Sequence, residues 1–177
     1  MDLTLLMASL PVVFMLHDFE EIIMFEPWLR NYRAEVRRRF PPLDRILRAY
    51  HDRLSTPAFA VAVLHEFVLV AGITFTALAL GWEGLWFGAF AAFGLHLLVH
   101  IGQWLIFGKY VPCMATSLLA LPYCGYVLVR FLGVTALSAG ELLSWTLVGL
   151  ALTAVSLPSA FALAARFERW INRSTPA

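Results

Sequence analysis

Five apolar stretches, residues 3–25, 57–80, 85–107, 112–132 and 142–165, take up most of this 177-residue chain, and each is long enough to cross a bilayer as a helix. A helix rises about 1.5 Å per residue, so about 20 residues cover a hydrocarbon core of about 30 Å. A water-soluble fold has no way to hide this much apolar surface: 60% of the residues are hydrophobic, where about 45–50% is usual. The expected fold is an all-α polytopic membrane bundle of five transmembrane helices, one domain over residues 1–177.

Local signals set the boundaries. Pro11 is placed to kink the first span, and Ser55-Thr56-Pro57 starts the second, with a hydroxyl cap and a proline at the first helical position. Gly81-Trp82-Glu83-Gly84 is a tight connection, Pro112 opens the fourth span, Leu137 to Glu141 is a short polar turn, and Pro158 lies inside the fifth span. Residues 26–56 differ in kind: eight arginines (Arg30, Arg33, Arg37, Arg38, Arg39, Arg45, Arg48, Arg53) are interrupted by Pro41-Pro42, which predicts a loop. Within it Leu43, Ile46, Leu47, Tyr50 and Leu54 recur at helical spacing, the pattern of a short amphipathic helix at headgroup level. The histidine of this loop, His51, reads as solvated.

Charge gives the orientation. Every Lys and Arg except Arg130 falls in the Arg-rich loop, at Lys109, or in the tail at Arg166, Arg169 and Arg173. By the positive-inside rule these segments are cytoplasmic, with the N-terminus outside, in a plasma membrane of the bacterial inner-membrane type. Met1-Asp2 supplies no basic n-region and no A-x-A site follows, so no secretory signal peptide is expected. The net charge of +1 implies no nucleic-acid partner. Cys113 and Cys124 are about 16 Å apart on a helix, too far for a disulfide, and read as small apolar fillers.

Against this background the ionisable residues inside the spans are anomalous. The first span ends on His17-Asp18-Phe19-Glu20-Glu21. On a helix, His17 shares a face with residues three and four further on, Glu20 and Glu21, while Asp18 is expected to turn away. Counted from the basic end, His17 and His65 (with Glu66 beside it) lie about 12 Å deep, and His96 and His100 about 16 and 10 Å deep. Ala89, Ala92, His96, His100 and Gln103 form one stripe, in which Gln103 is suited to bond a histidine from behind. Three helices thus deliver four histidines and three glutamates to one layer.

A buried carboxylate costs about 2.5–3.5 kcal/mol on insertion scales, and a bound cation offsets that cost best. The expected ligands are His17, Glu20, Glu21, His65, Glu66, His96 and His100, holding one or two divalent ions; mixed imidazole and carboxylate donors suit Zn, Fe or Mn. Two chemistries fit: a hydrolase with Glu20 or Glu21 as general base, or a di-metal oxidase. A membrane-lipid partner and a lipidic substrate follow from the depth of the site; homo-oligomerisation is left open. The alternatives are a proton- or metal-ion-coupled transporter, and a non-catalytic membrane protein with a structural polar cluster.

His17-Asp18-Phe19-Glu20-Glu21, with the Pro27-Trp28 shoulder, resembles the motif that names the HXXEE-domain family of small membrane proteins. That family's pattern also holds a later histidine, for which His100 or His96 is the counterpart, and a Y-x-P-G motif. Tyr110-Val111-Pro112-Cys113 matches the latter in all but its glycine. The resemblance extends over most of the chain. It implies a membrane protein and no particular activity, because the family is of unknown function.

Overall fold

Pro11 decides how the chain begins. In the computed structural model, which describes residues 2–50, 52 and 54–174 and of Tyr50 the backbone alone, the first apolar stretch is two helices. They are α1 (Leu3–Ala8) and α2 (Leu10–Arg39), and they meet at Ser9. Proline has no N–H to offer the Met7 carbonyl one turn back, so the helix breaks there. Other side chains make up the loss. Trp86 Nε1 donates to the Met7 carbonyl at 3.2 Å, and Ser9 Oγ and Tyr123 OH donate to the Leu6 carbonyl at 2.8 and 2.9 Å.

α2 then runs well past Phe25. Residues 26–39, expected as loop, are helical to Arg39, because Arg, Glu and Ala are good helix formers once the chain leaves the apolar layer. The break comes at Phe40 (φ −134°, ψ 62°), after which Pro41-Pro42 opens α3 (Pro41–Tyr50), the expected amphipathic helix. Leu54 lies beyond its end. His51 and Arg53 lie outside the described residues.

Four long helices follow: α4 (Thr56–Leu80), α5 (Glu83–Phe107), α6 (Met114–Leu132) and α7 (Ala139–Ser174). α4 opens on a Ser55 cap with Pro57 in its first turn, and ends on left-handed Gly81 (φ 68°). α6 begins at Met114 rather than at Pro112, because Val111, Pro112 and Cys113 form a turn. α7 opens on a capping box, in which Ser138 N and Oγ donate to Glu141 Oε2 at 2.8 and 2.7 Å. It also outruns its expected end, so Arg166, Arg169 and Arg173 are on the helix.

α5 is the centre of the bundle, packed on α4, α6 and α7. Its Trp86, Phe90, Phe93 and Leu97 join Leu6, Leu10, Val127 and Phe131 in the main core. Its contact with α7 is close because both helices carry glycine there. A Cβ at Gly84 would overlap the Trp145 ring, one at Gly88 the Trp145 carbonyl, and one at Gly149 the Gly88 backbone.

Five helical segments are long and apolar enough to cross a membrane, with α1 and α2 counted as one. Leu119, Val155, Val129 and Leu105 are each exposed by two-thirds or more, as on a bundle whose outer surface meets lipid. The basic segments meet at one end. Arg39 donates to the Ile106 and Phe107 carbonyls at the end of α5, Lys109 pairs with Glu35 at 2.7 Å, and Ser55 binds Glu168 of α7.

Candidate metal centre

α2 and α5 meet through side chains, and three of their imidazoles face one another. His17, His96 and His100 each offer a ring nitrogen within 4.8 Å of the other two, the one such group among the described residues. His96 Nε2 and His100 Nε2 are 3.0 Å apart. His17 packs on both rings at centroid distances of 5.3 and 5.2 Å, and its Nε2 is buried without a hydrogen-bond partner.

Two of the three rings are held from behind. His17 Nδ1 is 3.1 Å from Thr116 Oγ1, and that hydroxyl donates its proton to Glu20 Oε2 at 2.6 Å. With its proton so committed, Thr116 Oγ1 accepts from His17 Nδ1–H, which leaves the His17 Nε2 lone pair free. His100 Nδ1 donates to Gln103 Oε1 at 3.1 Å, and its Nε2 turns inward to accept from His96 Nε2. His17, bonded through Nδ1 and open at its buried Nε2, is set up to bind a metal.

The glutamates divide. Glu20 accepts from Tyr110 OH at 2.6 Å, from Thr116 N at 2.8 Å and from Thr116 Oγ1, so its carboxylate braces the histidine cluster from outside it. Glu21 points elsewhere. Successive residues of an α-helix are turned by about 100°, so Glu20 and Glu21 do not reach the same partner. Asp18, expected to turn away, is buried and lines a cleft with Glu21, His65, Glu66 and His96. Asp18 and Glu21 are three residues apart and share a face, and that face looks towards α4 and α7.

His65 and Glu66 line the same cleft as His96, across from the histidine cluster. His65 Nδ1 meets Glu66 Oε1 at 3.2 Å, and Ser156 and Ser159 of α7 bind Glu66 Oε2 and His65 Nε2 at 2.8 and 3.1 Å. Glu26, at the basic end, accepts from Thr56 Oγ1 at 2.7 Å. Sequence reasoning missed Thr116. Its signal was available: it lies one turn past Pro112, on the first turn of the helix that the Y-x-P turn aims at the motif.

A model of a family described as protein of unknown function with HXXEE motif matches residues 8–127. The chain belongs to the HXXEE family. No curated protein and no solved structure matches it.

In this HXXEE protein the histidine and the first glutamate of the motif serve one side of α2, and the second glutamate the other. The turn before α6 is tied to the same place. Tyr110 OH holds Glu20, the Tyr110 carbonyl accepts from Trp28 Nε1 at 2.8 Å, and Cys113 Sγ lies 3.9 Å from the His17 carbonyl. Cys113, where the family pattern has glycine, adopts φ 69°, the left-handed region that a side chain disfavours. The turn keeps the glycine conformation without the glycine. Cys113 and Cys124 are both free and buried.

Proposed function

We propose that the chain is a membrane-embedded, metal-dependent hydrolase in which His17, His96 and His100 hold one divalent ion, with a lipidic substrate. One observation carries the reading: three imidazoles converge, and the buried Nε2 of His17 has no hydrogen-bond partner. An unpaired buried polar atom costs about 1–3 kcal/mol, which a bound cation removes. Three protein ligands with an open position is the arrangement of catalytic rather than structural zinc sites, and imidazole also suits Fe and Mn.

A divalent ion held by His17, His96 and His100 would supply Lewis acidity and would lower the pKa of water towards neutrality. The chain's own groups do the rest. Glu21, facing the clefts beside the cluster, takes a proton from the attacking water, whose oxygen bonds to the carbonyl carbon of an ester or amide. The C–O or C–N bond breaks, and Glu21 returns the proton to the leaving oxygen or nitrogen. One water is consumed, an acid and an alcohol or amine leave, and no redox partner is needed. Glu20 opposes the positive charge of the ion and holds Thr116 against His17.

The commitment of Glu20 to Tyr110 and Thr116 favours this reading over a di-metal oxidase, which draws on several carboxylates as ligands. The hydrogen-bonded line through Ser159, His65, Glu66 and Ser156 favours a second reading, a proton-coupled transporter. Ion flux in proteoliposomes that is lost in Glu66→Gln would decide for it. The gathering of basic residues at one end supports a plasma-membrane protein with that end cytoplasmic and its N-terminus outside.

Metal analysis of detergent-purified protein tests the hydrolase reading. About one equivalent of a transition metal is expected, falling below about 0.1 in His17→Ala. Wild-type protein without metal overturns it.

A further inference from the structure

Two clefts meet at Glu21. The first, about 560 Å³, runs under α3 between α2, α5 and α7; its walls include Trp28, Leu43, Ile46 and Phe107, and it ends on Glu21, His100 and Gln103. The second, about 530 Å³, lies between α2, α4, α5 and α7, with Leu69, Val70, Ile73 and Leu152 on one side and Glu21, Asp18 and His96 on the other. Glu21, Leu157 and Phe161 border both. Each volume is within the range of about 300–1,000 Å³ typical of small-molecule sites.

The polar groups of the two clefts are concentrated where they meet. The first cleft is apolar from the amphipathic face of α3 inwards until it reaches Glu21, His100 and Gln103. The second carries Asp18, Glu21 and His96 and the bonded group of His65, Glu66, Ser156 and Ser159, and beyond them it is apolar along Leu69, Val70, Ile73 and Leu152 apart from Thr153, whose hydroxyl is bonded to the Gly149 carbonyl. A ligand with its polar end buried and a single tail would leave one apolar cleft to water or to bulk lipid. A ligand with an apolar arm on each side of a polar linkage fills both, and sets the linkage beside Glu21 and between the histidines that face the two clefts. Leu157, which borders both clefts, is 45% exposed and Leu69 is 40% exposed, so each cleft reaches the apolar outer surface of the bundle.

From this arrangement we propose that the substrate is a two-armed lipid, an ester or amide whose scissile carbonyl stands between two long apolar portions, one lying under α3 and the other in the second cleft beside Leu69, Ile73 and Leu152. This rests on the hydrolase reading for the identity of the reacting bond; the two-armed shape rests on the clefts alone. It also assigns α3 a role: Leu43 and Ile46, on its apolar face, form the outer wall of the arm nearer the basic end, while Leu47 anchors the helix in a small core with Trp28, Val36 and Phe107.

The test uses the full chain in lipid nanodiscs and a long-chain secondary amide carrying a photoreactive diazirine in either its acyl arm or its N-alkyl arm. Peptide mapping after illumination should place the label of one arm on Leu43 or Ile46 and that of the other on Leu69 or Ile73. Narrowing either cleft, with Leu43→Trp or Ala89→Phe, should weaken binding of the whole probe about tenfold, as displacing about two methylenes does. Both arms labelling one cleft, or neither labelling either, overturns the two-armed substrate. Metal content of the same preparations separates the two readings. Labelling of both clefts in protein without metal keeps the shape and removes the hydrolase; metal with labelling confined to one cleft does the reverse.

Discussion

Thr116 Oγ1 lies 3.1 Å from His17 Nδ1 and hands its own proton to Glu20, so one hydroxyl on α6 joins the first and fourth residues of the HXXEE motif. The motif's spacing places His17 and Glu20 on one helical face, and the turn through Tyr110 and Cys113 brings Thr116 to both. Thr116→Val keeps the shape and removes the hydroxyl. We expect it to lower metal affinity about 10–100-fold, as loss of a ligand's outer partner does, with Thr116→Ser retaining most of it. Competition against a chelating dye, read alongside thermal stability, separates this from simple unfolding.

Glu20 and Glu21 are adjacent in sequence but face different sides of α2, and their substitutions should differ accordingly. Glu21→Gln should keep about one equivalent of metal and lose about 10²–10⁴-fold in turnover of a lipid ester, the range for removal of a general base. Glu20→Gln should act mainly on metal retention, because it frees Thr116 from its fixed orientation. Equal metal loss in both variants would falsify the division of roles.

Much of this architecture was legible in the sequence because hydropathy, proline and arginine act locally. The five apolar segments, the amphipathic helix before Thr56 and the Gln103 partner of His100 all follow from periodicity within one helix. What pairs with what across helices was less legible. Counting residues along a helix carries no information on rotation about its axis, and Ser156 and Ser159 of α7 hold His65 and Glu66 across the cleft. The same omission misread Asp18. The length of α2 exceeds its expected end for a different reason: a run of arginines signals departure from the apolar layer, not the end of the helix, and arginine favours a helix.

Cys113 tests how much the turn before α6 is strained. A non-glycine residue in the left-handed region costs about 1–2 kcal/mol, while its buried thiol supplies packing that glycine lacks. Cys113→Ala keeps the strained backbone and loses the sulfur, so it should be less stable than Cys113→Gly by about 1 kcal/mol. Cys113→Val adds a β-branch at positive φ and should be the least stable of the three. Thermal unfolding of the purified variants in one detergent gives the order.

The α5–α7 contact leaves no room for a side chain. Gly149→Leu would drive a side chain into the backbone of Gly88, which has no rotamer to yield. Overpacking of this kind costs about 1–3 kcal/mol even where side chains can move, so the loss should be at least that large. Gly72→Leu is the control, since nothing lies within 4 Å of the position a Cβ would take there. Folded yield after extraction, followed by size-exclusion chromatography, should fall for Gly149→Leu and hold for Gly72→Leu.

Asp44 makes the docking of α3 sensitive to pH. It is buried at the base of the helix, where Arg48 donates to it and Arg33 Nε stands 3.2 Å from its Oδ1. The hydrogen bond from Arg48, with the charges of Arg48, Arg33 and Arg37, holds its carboxyl below the usual carboxylate range. A group whose pKa is lowered in the folded state stabilises that state fully above its unfolded pKa, and the contribution is lost as pH falls through the folded value. Docking of α3 should accordingly be insensitive to pH near neutrality and weaken only on the acid side of the ordinary aspartate pKa of about 3.9. Asp44→Asn should reproduce the acid state at neutral pH. Amide hydrogen exchange over residues 41–50, corrected for the intrinsic pH dependence of exchange, reads both: protection should drop in acid for wild type and already at neutral pH for Asp44→Asn. Protection unchanged by either would mean that Leu47 and its apolar neighbours, not the Asp44 ion pairs, hold α3 in place.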